Sequence, residues 1–170
     1  MPTMFSVSGP HAIEMTEGPG GKTILKDNIK TFWAQHTDIA PRRGCYVFCF
    51  RAGKGFTPMY VGKATRSFQQ EVFASDKQVK YQKALIQYGR GTPVLFFVVS
   101  PVKKGAPNTN HIGELEEFLI QTGLAANENL LNIKGTKSEE WGIAGVIRGG
   151  KGKPSKKASE FRRAMKLMNK

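Results

Sequence analysis

Gly44-Cys45-Tyr46-Val47-Phe48-Cys49-Phe50 and Met59-Tyr60-Val61-Gly62, separated by a connector from Arg51 to Pro58 that holds Gly and Pro, decide the fold. Two β-rich runs around such a connector predict a hairpin. Downstream, Val94-Leu95-Phe96-Phe97-Val98-Val99-Ser100 is apolar without alternation, which predicts a central strand covered on both faces. Between them, Ser67–Phe73 and Lys77–Tyr88 predict a helical region broken near Ser75-Asp76. Val79, Leu85 and Ile86 are its apolar positions and Gly89 its stop. His111–Thr122 predicts a further helix after a loop at 101–109. Upstream, Leu25, Ile29, Phe32 and Trp33 recur at helical spacing and predict a short helix laid on the core.

These elements predict an α/β (α+β) domain: a small three-stranded, mainly antiparallel sheet flanked by helices. It carries an irregular N-terminal extension and a basic C-terminal helical arm. The expected boundaries are 1–41 for the extension with its short helix, 42–133 for the core and 134–170 for the arm. Residues 1–23, rich in Gly and Pro, show no sustained period. Gly21-Lys22-Thr23 imitates the end of a phosphate-binding loop, but Thr16 stands where its leading Gly belongs and no apolar strand precedes it. Trp141–Ile147 predicts a further strand or packing segment. In Ser155–Met168, Ala158, Phe161, Met165 and Met168 form one helical stripe expected to face the core, with Lys and Arg around the rest.

Charge narrows the partner. The 170 residues hold 26 Lys and Arg against 13 Asp and Glu, a formal +13. Residues 148–170 carry nine of the basic side chains and one acid, Glu160, so +8 lies there and +5 elsewhere. A polyanion is the expected partner. Nucleic acid is preferred to a membrane surface because the basic stretch has no bulky aromatic face beyond Phe161; the plain rival is a solvated tail. The candidate contacts are Arg148, Lys151, Lys153, Lys156, Lys157, Arg162 and Arg163. No run of eighteen apolar residues and no signal-peptide pattern occurs, so a cytoplasmic protein is expected. Cys45 and Cys49, on one strand face about 13 Å apart at about 3.3 Å per residue, cannot pair and read as small buried hydrophobes in a reducing compartment.

Gly44-Cys45-Tyr46 opening the first strand and Tyr60-Val61-Gly62-Lys63 closing the second resemble the paired motifs of the GIY-YIG nuclease family. Leu115-Glu116-Glu117-Phe118-Leu119-Ile120 on a later helix and Asn132 in Leu130-Leu131-Asn132 resemble its glutamate helix and terminal asparagine. The likeness spans residues 42–133. It implies metal-dependent hydrolysis of phosphodiesters, with DNA placed ahead of RNA and one Mg²⁺ or Mn²⁺ on Glu116. It further implies that Tyr46 helps to deprotonate the attacking water, that Tyr60 hydrogen-bonds in the site, and that Asn132 completes it. The family's usual arginine, about two turns beyond the second glycine, is replaced by Gln69, Gln70 and Glu71. Arg66, at the helix start, is the candidate substitute; its alternative is a solvated helix-start residue, with Lys77 or Lys80 in the role instead. Lys63 is the candidate phosphate contact.

Periodicity bears on Glu116 separately. At about 100° per residue, with Ile112 at zero, Leu119 falls near 340°, Glu116 near 40° and Ile120 near 80°. Glu116 therefore sits within the apolar stripe, whereas Glu114 and Glu117, near 200° and 140°, face water. A carboxylate turned inward needs compensation, either a divalent ion or an ordinary salt bridge. Tyr46 shares a strand face with Phe48 and Phe50, so its hydroxyl ends either in a polar pocket or in a simple core. Two rival functions stand beside the nuclease: a nucleic-acid-binding module with weak or no catalysis on the same kind of fold, and a small interaction protein with a basic tail.

Overall fold

The computed structural model describes residues 2–132, 143–146 and 152–165. Two compact units result, residues 1–136 and 137–170. The first is a mixed α+β domain built from β1 (Ser6–Ala12), β2 (Thr16–Gly18), β3 (Gly21–Thr23), α1 (Lys26–Gln35), β4 (Gly44–Ala52), β5 (Gly55–Ala64), α2 (Phe68–Glu71), α3 (Ser75–Tyr88), β6 (Thr92–Val99) and α4 (Thr109–Ala126). The second holds α5 (Lys156–Ala164).

The main sheet has the order β1-β6-β4-β5, and every neighbouring pair is antiparallel. It is four-stranded, not three-stranded, because part of the expected irregular extension is β1, paired with β6 from Ser6↔Val99 to Ala12↔Val94. The register of β1 shifts between Ser8 and His11, around Gly9-Pro10. An edge strand accommodates a proline that a central one could not, so these residues hide a strand from pattern reading. Glu17 and Lys22 face each other in the separate β2–β3 hairpin. Gly21-Lys22-Thr23 is thus a strand, and the Thr23 hydroxyl donates to Gln82 of α3 at 2.6 Å.

The β4–β5 hairpin closes more tightly than the connector suggested. Ala52 pairs with Gly55, leaving Gly53-Lys54 as a two-residue turn with Gly53 at φ +58°. That left-handed conformation suits the turns that follow strand twist. Pro58 is tolerated because β5 is the open edge, beside a bulge where the register skips Met59. The edge is then covered by the chain leaving α4. Asn127 donates to the Pro58 carbonyl at 2.8 Å, and the Leu131 amide to the Met59 carbonyl at 2.8 Å. Covering an edge in this way removes a template for unwanted strand pairing.

Alternation divides the sheet into two faces. Tyr46, Phe48, Phe50, Tyr60, Ala64, Leu95, Phe97 and Val99 point toward a core shared with Phe32 and Trp33 of α1, Phe68 of α2, and Tyr81 and Ala84 of α3. Phe48 stacks on Tyr81 with ring centroids 4.2 Å apart and planes 14° apart. The opposite face packs Val47 and Val61 against Ile120, Leu119 and Leu124 of α4, with Leu130. Cys45 is on that face too, its Sγ donating to the Ile112 carbonyl at 3.4 Å. Both cysteines are buried and free, and burial pushes each thiol up to about 12.

On α3, the inward positions are Tyr81 and Ala84, with Leu85 partly covered, while Val79 and Ile86 are 69% and 70% exposed. Hydrophobicity without facing was a poor guide there. In the C-terminal unit, Ser155 caps α5 by accepting from the Ala158 amide at 3.2 Å. Ala158 is buried, but Phe161 and Met165 are 45% and 59% exposed, so the expected core-facing stripe is covered only at Ala158 among the described residues. Met168 and most of the Trp141–Ile147 segment lie outside the described residues; Ile143 forms a bridge followed by a turn.

Candidate functional site

The two halves of the hairpin motif meet in one contact. Tyr46 pairs across the ladder with Gly62, and its phenol lies directly over that glycine. A Cβ built on Gly62 would stand 2.3 Å from the Tyr46 Cζ and 2.4 Å from its hydroxyl. Glycine is required there for space.

Tyr46 is fully buried, and its hydroxyl has no hydrogen-bond partner of normal geometry among the described residues. The Tyr81 hydroxyl lies in its neighbourhood, but is itself committed as donor to the Val72 carbonyl at 2.7 Å. Tyr60 completes a three-phenol cluster, with its ring centroid 6.3 Å from Tyr46 and 6.2 Å from Tyr81. Burial, followed by the neighbouring Tyr60, pushes the Tyr46 hydroxyl well above the ordinary phenol range. Burial also raises Tyr60, opposed by Lys77, which reaches its hydroxyl. At neutral pH the cluster is a set of neutral phenols.

Lys77 and Lys80 of α3 are the cations beside Tyr60, with Nζ 6.0 Å and 4.7 Å from its ring centroid. Lys77 is paired with Asp76. Burial, then the proximity of Lys77, lowers the Lys80 ammonium below its usual range. From the sequence these two lysines stand only as the alternative to Arg66, not as site residues in their own right. The available signal was the i, i+3, i+4 spacing of Lys77, Lys80 and Tyr81, which places all three on one helical side.

Arg66 is turned to a different partner. Its Nε donates to the Glu71 carboxylate at 2.7 Å, and its side chain is 69% exposed. Gln69 and Gln70, where the resemblance would place an arginine, are exposed on the single turn of α2, whose Ser67 cap accepts from the Gln70 amide.

Lys63 and Glu116 form the second half of the site. Lys63 Nζ and Glu116 Oε2 are 2.9 Å apart, with side chains 47% and 20% exposed. Glu116 is partly buried and Glu114 and Glu117 exposed, as the helical angles require. Hydrogen bonding to Glu116 raises the Lys63 ammonium above its usual range, against a smaller opposing effect of burial. The pair is on the α4 face of the sheet, since Lys63 registers with Cys45 and not with Tyr46. The tyrosines occupy the other face. The charge of Glu116 still reaches Tyr60, on β5, the last strand of the sheet.

Asn132 is fully engaged by that same edge. Its Oδ1 accepts from the Val61 amide at 2.9 Å and its Nδ2 donates to the Val61 carbonyl at 2.7 Å. It substitutes for a missing strand partner and fixes Val61, between Tyr60 and Gly62. Of the arm residues, Lys153, Lys156, Lys157 and Arg163 are exposed, whereas Arg162 is half-buried. Arg148 and Lys151 lie outside the described residues.

No family model, curated protein or solved structure matches the chain.

No group of three or more His, Cys, Asp or Glu side chains capable of holding a metal occurs among the described residues. Mg²⁺ is commonly bound through one or two carboxylates, with waters and substrate oxygens completing its shell. Glu116 fits that single-carboxylate role, provided that Lys63 is displaced from it or shares it. No helix is long and apolar enough to cross a membrane among the described residues.

Proposed function

We propose that this chain binds nucleic acid and hydrolyses its phosphodiester bonds as a GIY-YIG-type nuclease, on DNA in preference to RNA. The observation that carries the reading is the Tyr46–Gly62 contact: residues quoted separately as parts of two sequence motifs are one steric unit, with Tyr60 and Lys63 on either side of the same glycine. Independent coincidence of the motifs does not require such a fit.

In this reading Glu116 holds one Mg²⁺ or Mn²⁺, which when bound supplies charge for the phosphate and acidifies water. Lys63, held beside Glu116, is delivered to a phosphate oxygen when that carboxylate is taken up. Tyr46 and Tyr60 act from the other side of the β5 edge. Because burial holds both phenols neutral, Tyr46 can take a proton from water only as a phenolate, after its own proton has passed to solvent under the influence of added cationic charge; Lys77 and Lys80 supply such charge beside Tyr60. Arg66, occupied by Glu71, has a smaller claim on that task. Asn132 positions the Val61 backbone.

A second reading is favoured by a specific observation. Glu116 is already neutralised by Lys63 and the Tyr46 hydroxyl is fully buried, as in a binding module that no longer cleaves. Supercoiled plasmid incubated with protein and Mg²⁺ or Mn²⁺, against an EDTA control, separates them. Metal-dependent nicking supports the nuclease; salt-sensitive binding without nicking supports the binding module. Absence of both leaves the interaction-protein reading.

A further inference from the structure

We propose that the end of the main sheet where β4 begins and β5 and β6 finish is a phosphate-backbone docking rim, formed by Arg43, Lys103 and Lys104 and braced by Arg42. The inference rests on the nucleic-acid reading above and deepens it, because it moves a major contact from the C-terminal arm to the core.

Three chain crossings converge at this end. Gly44 registers with Ala64 on one side and Val99 on the other, so Arg42 and Arg43 enter where Arg66 and Ser100–Lys104 leave. Backbone bonds lock them: Ser100 to the Arg43 carbonyl at 2.8 Å, and Phe68 to the Arg42 carbonyl at 2.8 Å. Arg42 adds an Nη2 bond to the Ser100 carbonyl at 2.7 Å. Arg43 Nε donates to the Arg66 carbonyl at 2.8 Å, and its Nη1 to the Gly105 carbonyl. The guanidinium therefore bridges the exits of β5 and β6, directly beside Lys104.

Those acceptors are neutral. An arginine offers five N–H donors, and these two bonds fix its plane while leaving its charge intact. Arg42, Arg43, Lys103 and Lys104 have no acidic partner in a salt bridge among the described residues, whereas Lys63 and Arg66 are each paired. Lys103 and Lys104 are exposed. Two anchored guanidiniums and two exposed ammoniums, none of them in a salt bridge among the described residues, make a focused positive field at this junction. Its position selects the partner: Cys45, the register partner of Lys63, is two residues from Arg43, or about 7 Å along the strand. A backbone docked on the rim would present its next phosphate to the Lys63–Glu116 pair. Successive phosphates of a nucleic-acid strand match that spacing, and the hydrolysis proposed at Lys63–Glu116 acts on such a strand and not on an acidic peptide.

The test uses the full-length chain and a fluorescent DNA duplex, with anisotropy read across a salt series in EDTA so that cleavage plays no part. The double variant Lys103→Gln/Lys104→Gln is compared with Lys30→Gln/Lys54→Gln, which removes the same charge from α1 and from the hairpin turn at the far end of β4. At about 0.9 per neutralised phosphate, the rim variant should show a log–log salt slope shallower by up to about 1.8, while the control keeps the wild-type slope. Equal effects of the two doubles would overturn the proposal, as would a wild-type chain that binds duplex without salt dependence. If poly-glutamate binding depends on Lys103 and Lys104 and duplex binding does not, the rim belongs to an acidic protein and the proposal fails. Rim-dependent binding by a chain that never nicks plasmid supports the rim and removes the hydrolysis reading instead.

Discussion

Gly62→Ala is the substitution for which the structure gives the most definite cost. The added carbon would stand 2.3 Å from the Tyr46 Cζ, 2.4 Å from the hydroxyl and 2.9 Å from Cε1. Ordinary contacts begin about 1 Å farther out, and the ring has nowhere to go: Tyr46 is fully buried on β4, between β5 and β6, with Tyr60 beside it. Forcing one carbon into a packed core costs about 1–3 kcal/mol, offset by the roughly 0.5–1 kcal/mol that Ala gains over Gly in a strand. With a backbone-fixed Cβ meeting a ring atom, the upper part of that range applies, and a net loss of about 2 kcal/mol is expected. Urea unfolding followed by circular dichroism measures it. Tyr46→Phe should not rescue Gly62→Ala, because Cζ remains. Tyr46→Ala costs about 3–5 kcal/mol by itself but should remove the clash, so the double variant should fall short of additivity by about 2 kcal/mol. A Gly62→Ala protein within about 0.5 kcal/mol of wild type, or an additive cycle, would refute the steric unit.

Other outcomes follow from the same geometry. Asn132→Ala leaves the amide and carbonyl of Val61 without partners and should destabilise the fold by about 1–3 kcal/mol in the same assay; unaltered stability would mean that the β5 edge does not depend on it. His11 lies with its ring centroid 4.3 Å from that of His36, and its pKa is lowered by burial, then by His36, with Asp38 opposing. Since the unfolded chain then binds the proton more readily, stability should fall as pH drops from about 6.5 through the lowered value, and His11→Gln should flatten the dependence of Tm on pH in that window. An identical slope in the variant would contradict the assignment. Deleting residues 149–170 removes eight of the nine arm cations together with Glu160. Binding should weaken with a shallower salt slope, yet the core rim should retain part of it; complete loss in a folded truncation would place all affinity in the arm.

The elements legible in the sequence were those whose apolar pattern is long or bounded by turn chemistry. β6 reads as central because Val94–Val99 is covered on both sides, and it does lie between β1 and β4. The facing of Glu116 followed from helical angles, and the compensating partner in the structure is the Lys63 ammonium. β1 was not legible, since Ser6–Ala12 is mostly exposed, interrupted by Gly9-Pro10, and gains its order from β6. On α3 the eye went to Val79 and Ile86, whereas the core selects Tyr81, whose stacking on Phe48 is a property of two elements together. Lys77 and Lys80 stand in the sequence only as alternatives to Arg66, because it is the packing of α3 on the sheet that sets them beside Tyr60. The basic rim is equally invisible along the chain, because Arg43 and Lys104 are brought together by strand register.

Cleavage of supercoiled plasmid by Glu116→Gln, set against Glu117→Gln and wild type in Mn²⁺ and Mg²⁺, tests the central claim most directly. Both changes remove one negative charge from α4, but only Glu116 is turned inward beside Lys63. Metal-dependent nicking is expected from wild type and Glu117→Gln, and none from a folded, DNA-binding Glu116→Gln. Nicking by Glu116→Gln at the wild-type rate, or no nicking by wild type in either metal, would contradict that claim.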